Sequence, residues 1–190
     1  MKPPKIVSPS FDALVREMMA ADPGLQLLLR PLVIATERLD ELVAELNHTI
    51  RTAAKHCSIC QTLMSVPGVG PLVAFAFVSG VDDPRRFDRS RTVGAHFGLT
   101  PRRYQSGETD WAGRISRAGD AAVRRALYQA ANVLIHRSGR WCALKSWAVR
   151  LAKRRGLGKA KVALARKLAV VLHKMWVTGE LYRWQAAISV

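Results

Sequence analysis

From Leu32 to Ala53 apolar residues recur with heptad spacing. Leu32, Ala35, Leu39, Leu42, Leu46, Thr49 and Ala53 fall on a and d positions, and Val43 and Ile50 widen the stripe. That period predicts one long helix, either a strand of a coiled coil or a helix packed within its own domain. Before it, residues 1–31 read as irregular. The exception is a short helix from Phe11 to Ala21, capped by Ser10 and stopped by Asp22-Pro23-Gly24. At Leu63 the pattern changes. A short helix end is followed by Val66-Pro67-Gly68-Val69-Gly70-Pro71 and then an apolar helix to about Val78. Asp82-Asp83-Pro84 predicts a turn, and Arg91 to Phe97 a further short helix.

Gly98 to Gly119 is glycine-rich and reads as a loop or a small β-hairpin. Asp120 is a good N-cap for a helix from Ala121 to about His136. Gly139 precedes a basic helix, Arg140 to Arg155, and Lys159 begins a last helix that ends at Gly179. On that last helix Val162, Ala165, Leu168, Ala169 and Leu172, with Met175 or Trp176, form one apolar face. The expected fold is mostly α. A helical arm over 1–60 precedes a helical domain over 61–190 that holds a helix-hairpin-helix and the glycine-rich loop or hairpin.

Charge divides the chain at the same place. Residues 1–60 carry seven Lys/Arg and seven Asp/Glu, whereas 61–190 carry 23 basic and seven acidic residues, and so the whole net charge of +16. From Ala121 onward there are 15 basic residues against one acid, Glu180. A solubility surface would mix the two signs; a one-sided excess points to a polyanion, nucleic acid or an anionic membrane surface. The most apolar stretch, Val66 to Val81, is interrupted by Pro67, Gly68, Gly70 and Pro71 and is too short to span a bilayer. Met-Lys-Pro-Pro-Lys at the start has no apolar core behind it and does not read as a signal peptide. Three cysteines, Cys57, Cys60 and Cys142, make no disulfide framework, and a reducing cytoplasm fits them.

Two segments carry candidate chemistry. In Val66–Gly70 the glycines allow a tight turn whose backbone N–H groups would meet one phosphate at a helix N-terminus; the alternative is an ordinary turn between core helices. In the loop from Gly98 to Asp120, Ser106 stands between the pairs Arg102, Arg103 and Arg114, Arg117. A serine that attacks a phosphodiester needs an accessible Oγ and cations to stabilise the phosphoryl oxygens. Ser116 is the competing serine and reads as a turn or phosphate contact. Cys57-x-x-Cys60 beside His56 lacks the further ligands a zinc site needs, so the cysteines read as structural thiols. Glu108 and Asp110 form a short acidic pair, suited to a metal or, more simply, to ion pairs with Arg102 or Arg114. Of the five tryptophans, Trp141, Trp147, Trp176 and Trp184 read as core, and Trp111 in the basic loop as core or as a surface on which a base stacks.

Four ordered motifs carry a resemblance: Val66-Pro67-Gly68-Val69-Gly70-Pro71; Val81-Asp82-Asp83-Pro84-Arg85-Arg86-Phe87; Gly98-Leu99-Thr100-Pro101-Arg102-Arg103-Tyr104-Gln105-Ser106-Gly107-Glu108; and Gly113-Arg114-Ile115-Ser116-Arg117-Ala118-Gly119-Asp120. From about Leu63 to Trp184 the chain resembles the C-terminal serine domain of the insertion-sequence transposases that pair it with an N-terminal DEDD, Holliday-junction-resolvase-like domain. Some of these are guided by a bridge RNA. The resemblance implies DNA transposition by site-specific recombination, with Ser106 as the nucleophile that forms a phosphoserine link to DNA. It implies DNA as partner, a guide RNA in those members that use one, and self-association through the preceding helix. Residues 1–60 show no αβ pattern with spaced acids, so Mg²⁺ is expected only with the family's DEDD domain and no cofactor on this chain. The residues expected to touch DNA are Gly68, Val69, Gly70, Arg85, Arg86, Lys153, Arg154 and Arg155, with Arg102, Arg103, Arg114 and Arg117 around the reacting phosphate. Two other outcomes fit the same residues: a helix-hairpin-helix DNA-binding protein without chemistry, or an inactive transposase fragment.

The charge division generates a first prediction. If the chain neutralises about six phosphates, its affinity for DNA falls by about three decades between roughly 50 and 200 mM salt. A titration that is flat in salt refutes it.

Overall fold

The computed structural model describes residues 9–106, 109–139 and 141–184. It is mostly helical, with one two-stranded antiparallel sheet. The helices are α1 (Pro9–Ala21), α2 (Pro23–His56), α3 (Ser58–Met64), α4 (Pro71–Val81), α5 (Ser90–His96), α6 (Ala121–His136), α7 (Ala143–Arg155) and α8 (Leu157–Thr178). A 3₁₀ turn covers Pro84–Arg86, and strands β1 (Pro101–Ser106) and β2 (Thr109–Ile115) form the hairpin. The chain divides into two compact units, Met1–Thr49 and Ile50–Val190.

In the first unit, sequence patterning leaves residues 22–31 irregular, yet they are helical. Only Asp22 breaks the run. Its carboxylate accepts from Gly24 N at 2.7 Å, and Pro23 stands at the first helical position, where a missing N–H costs nothing. Pro31 is carried inside α2. Helix α1 begins at Pro9, so Ser10 lies within it and does not precede it as a cap. Arg16 bonds both Asp12 and Glu37, which draws α1 back along α2. Leu32, Leu39, Leu42, Val43 and Leu46 are exposed in this unit.

The second unit is organised around α8. Its Ala160, Leu164, Ala165, Leu168, Ala169, Leu172, His173 and Met175 are buried, and α3, α5, α6 and α7 all pack on it. Truncating one of these leucines to alanine would cost about 2–5 kcal/mol. The expected apolar face holds except at Val162, which is only half-buried. Gly179, in the left-handed conformation at φ 69°, ends α8 as expected. Asp120 caps α6, accepting from Ala122 N at 2.6 Å. Helix α7 begins at Ala143, later than Gly139 suggests, and Arg140 lies outside the described residues. Helix α4 continues past Val78 to Val81. Trp141 is exposed and not core; Lys145 lies against its ring and donates to Ser138 O at 2.6 Å.

The turn between α3 and α4 shows why its two glycines differ. Gly68 has φ +87°, and a Cβ there would meet Ala130 O of α6 at 2.6 Å. Gly70 has an extended backbone and open space around it. Gly68→Ala should therefore destabilise the protein by about 1–3 kcal/mol, with a Tm loss of roughly 2–4 °C per kcal/mol, while Gly70→Ala melts with the wild type. Equal melting temperatures for the two variants would refute the packing account.

Candidate nucleic-acid interface

The chain from Phe97 to Asp120 leaves the helical body, forms the hairpin and returns at nearly the same point. Two glycines permit that close return. A Cβ on Gly98 (φ +65°) would meet the Ala118 backbone at 2.4 Å, and one on Gly119 (φ +70°) would meet His96 O at 2.0 Å. Leu99 N donates to Gly94 O at 2.9 Å, Ser116 N to Thr100 O at 2.9 Å, and Arg117 N to Gly98 O at 3.1 Å. Arg124 of α6 closes the crossing, its guanidinium donating to the carbonyls of Phe97, Ala118 and Gly119. Beyond it the strands pair Tyr104 with Trp111 and Ser106 with Thr109, with an irregularity between Pro101 and Arg103. The Tyr104 and Trp111 rings stack at 4.5 Å and 15°, and Gly113 leaves room for the tyrosine, since a Cβ there would meet it at 2.8 Å.

Between this hairpin, the start of α5 and α8 lies an open cleft of about 1620 Å³. Among the described residues seven cations line it, Arg89, Arg91, Arg114, Arg117, Lys159, Arg166 and Lys167, and no acid does. Its floor is apolar, with Leu99, Pro101, Ile115, Trp147, Val162 and Val170. On α8, Lys159, Val162, Ala163, Arg166, Lys167 and Val170 follow i, i+3, i+4 spacing, so one stripe of the helix supplies both cations and floor. Gly94 of α5 gives the Arg166 stem its passage, since a Cβ there would meet Arg166 Cγ at 2.8 Å. Lys167 lies 4.6 Å from the Trp147 ring centroid, and partial burial lowers its pKa.

A buried histidine fixes the opposite wall. His173 Nε2 lies 2.9 Å from Pro84 O, which requires the proton on that nitrogen; Nδ1 then accepts from Ser90 Oγ at 3.0 Å. The Phe87 ring meets His173 edge-on. One side chain of α8 thus anchors the segment that carries Arg85, Arg86, Arg89 and Arg91.

The expected site residues divide in space. Arg114 and Arg117 line the cleft; Arg102 and Arg103 do not. Arg102 donates to Ser116 O at 3.3 Å, and Arg117 holds φ 57°. Ser106 is exposed at the end of β1, outside the cleft lining, on the same strand face as Tyr104 by alternation. Ser116 Oγ accepts from Ala118 N at 3.4 Å, a turn contact. Gly107 and Glu108, and the Asp110 side chain, lie outside the described residues. Arg85 and Arg86 are exposed on the 3₁₀ turn, and Lys153, Arg154 and Arg155 on the last turn of α7, none of them in the cleft lining. Gly68 and Val69 face inward, with Val69 buried; Gly70 is the N-cap of α4 and has no side-chain cap. Arg89, Arg91, Lys159, Arg166 and Lys167 escape the sequence reading because only packing of α5 and the hairpin beside α8 brings them together.

The thiols hold structure together. Cys57 caps α3, its Sγ accepting from Cys60 N at 3.4 Å, which lowers the Cys57 pKa. Burial pushes the Cys60 thiol up to about 12. Among the described residues no three or more His, Cys, Asp or Glu cluster as a metal-ion site. No helix among them is long and apolar enough to cross a membrane.

Comparison with known proteins agrees with the earlier resemblance at the coarser level. Residues 60–146 match the model of the Transposase IS116/IS110/IS902 family. The chain is 32% identical over 171 residues to the transposase for insertion sequence element IS1111A of Coxiella burnetii, covering 90% of this chain and 47% of that protein. It is 31% identical over 181 residues to a Pseudomonas aeruginosa protein named "Probable family 20 transposase", covering 90% and 52%. It is 30% identical over 148 residues to the transposase for insertion sequence element IS1328 of Yersinia enterocolitica, covering 76% and 43%. The chain spans about half the length of the curated relatives it matches. These matches support an IS110-family transposase.

If the cleft holds phosphates, Arg166→Gln with Lys167→Gln should lower the slope of log affinity against log salt by about two. Arg30→Gln with Arg38→Gln, in the first unit, should leave it unchanged. Equal slopes for both double variants would refute the assignment.

Proposed function

We propose that this chain is the DNA-binding, serine-bearing half of an insertion-sequence transposase, acting in DNA transposition by site-specific recombination. What supports this reading above all is that one hairpin carries Ser106 at the far end of β1 while its base, Arg114 and Arg117, lines a cleft that among the described residues has seven cations and no acid. The family match and the names of the relatives support it independently.

In this reading the Ser106 Oγ attacks the phosphorus of a DNA phosphodiester. The Oγ–P bond forms as a P–O bond to deoxyribose breaks, the hydroxyl proton leaves Oγ, and the departing sugar oxygen takes up a proton. One phosphodiester replaces another, so the step needs no external energy source. Arg102 and Arg103, on the same strand as Ser106, stabilise the phosphoryl oxygens as charge gathers on them, while Arg114 and Arg117 at the hairpin base hold the DNA backbone further along in the cleft. An unassisted hydroxyl is a weak nucleophile at neutral pH. The proposal therefore assigns the general base and the Mg²⁺-binding acids to a DEDD domain outside this sequence. Self-association through the exposed stripe of Leu39, Leu42, Val43 and Leu46 belongs to the same proposal. A guide RNA does too, for a relative of the bridge-RNA kind.

One observation favours a second reading. Ser106 is not itself in the cleft lining, which suits a binder of DNA without chemistry. Covalent capture separates the two. Combined with the DEDD domain of a related full-length transposase and nicked or junction DNA, the chain should give a denaturation-resistant adduct. Ser106→Ala should abolish it, and Ser116→Ala should retain it. An adduct mapped to Ser116, or one surviving in Ser106→Ala, overturns the assignment; no adduct from the wild type favours the binder.

A further inference from the structure

The lining of the cleft is specific about the form of nucleic acid it suits. At about 1620 Å³ it exceeds the roughly 300–1,000 Å³ of small-molecule pockets, which fits a length of polymer. Its cations surround an apolar floor. A duplex keeps its bases stacked inside and offers phosphates and groove edges, so it would leave the exposed parts of Ile115, Val162 and Val170 without an apolar partner. An unpaired strand turns its bases outward and can bury them against such a floor while its phosphates reach the rim.

The aromatic residues sharpen this. One face of Trp111 is covered by Tyr104, and the indole remains 56% exposed while lining the cleft. It is a rigid platform, backed by a second ring, with its other face open. Trp147 differs, because Lys167 already lies over its ring.

We propose that the cleft between the hairpin and α8 takes an unpaired DNA strand, with one base stacked on the open face of Trp111 and the backbone held by Arg114, Arg117, Arg166 and Lys167. This rests on the DNA-binding reading above and deepens it: the cleft receives DNA that has been opened, nicked or displaced from its complement.

Fluorescence anisotropy on the full chain tests it, using labelled oligo(dT) of about ten nucleotides and a duplex of the same length. Stacking of one base is worth about 1–3 kcal/mol, so Trp111→Ala should weaken oligo(dT) binding by roughly 5- to 150-fold. It should weaken duplex binding much less, so that the ratio of strand to duplex affinity falls. Trp111→Phe should restore most of the strand affinity. An equal loss on strand and duplex overturns the proposal. If the duplex binds with the expected salt dependence and Trp111→Ala changes nothing on oligo(dT), this inference alone fails. If no DNA of any form binds, the reading it rests on fails with it.

Discussion

The burial of α8 is the constraint from which the second unit follows. A helix rich in Lys and Arg is nonetheless packed by α3, α5, α6 and α7, because its Ala and Leu positions are distributed around more than one side. Small residues such as Ala160, Ala165 and Ala169 let neighbours approach, and Leu164, Leu168 and Leu172 fill the space between them. Its cations must then emerge where no helix covers it. One such strip runs through Lys159, Arg166 and Lys167, and it is there that the hairpin stands off from the body and leaves the cleft. His173 extends the same control, since its two ring nitrogens tie Pro84 and Ser90 to the helix and so set the wall that bears Arg89 and Arg91.

The hairpin is a different kind of element. Two strands have little stability alone. This one is held at its base by the Gly98 and Gly119 crossing, by ladder bonds that continue into Thr100 and Ser116, and by Arg124 on three carbonyls. The base, where Arg114 and Arg117 meet the cleft, is thus pinned to the helical body, and Ser106 is exposed at the far end of β1. In this arrangement the Tyr104–Trp111 stack stiffens the middle of the hairpin and faces an indole into the cleft.

Much was legible in the sequence because it rests on local chemistry. Asp120 caps α6 since its carboxylate reaches the free N–H groups of the first turn, and Gly179 ends α8 since glycine adopts positive φ freely. Heptad spacing marked α2, and the clustering of glycines and arginines marked the hairpin. Errors arose where a local rule had a stronger local rival. Asp22 and Pro23 look like a helix stop, but together they serve as the cap and first residue of the next helix. Trp141 reads as core by its size, yet its indole lies exposed, with Lys145 against it.

What the sequence by itself determined is the helical class, the hairpin, the charge division and the motif around Ser106. These follow from period, caps and composition, which act over a few residues or over the whole chain. What only the tertiary structure decided is which residues share a surface. Gly68 and Gly70 are alike in sequence, but α6 lies against one and not the other. Arg85 and Arg89 are alike in sequence, but only Arg89 reaches the cleft. Val162 has the spacing of a core residue and lines the cleft floor, because the hairpin stands where a covering helix would have been. The packing of α5 on α8 joins residues more than 60 positions apart in the chain, and no period or spacing within one segment encodes such a meeting.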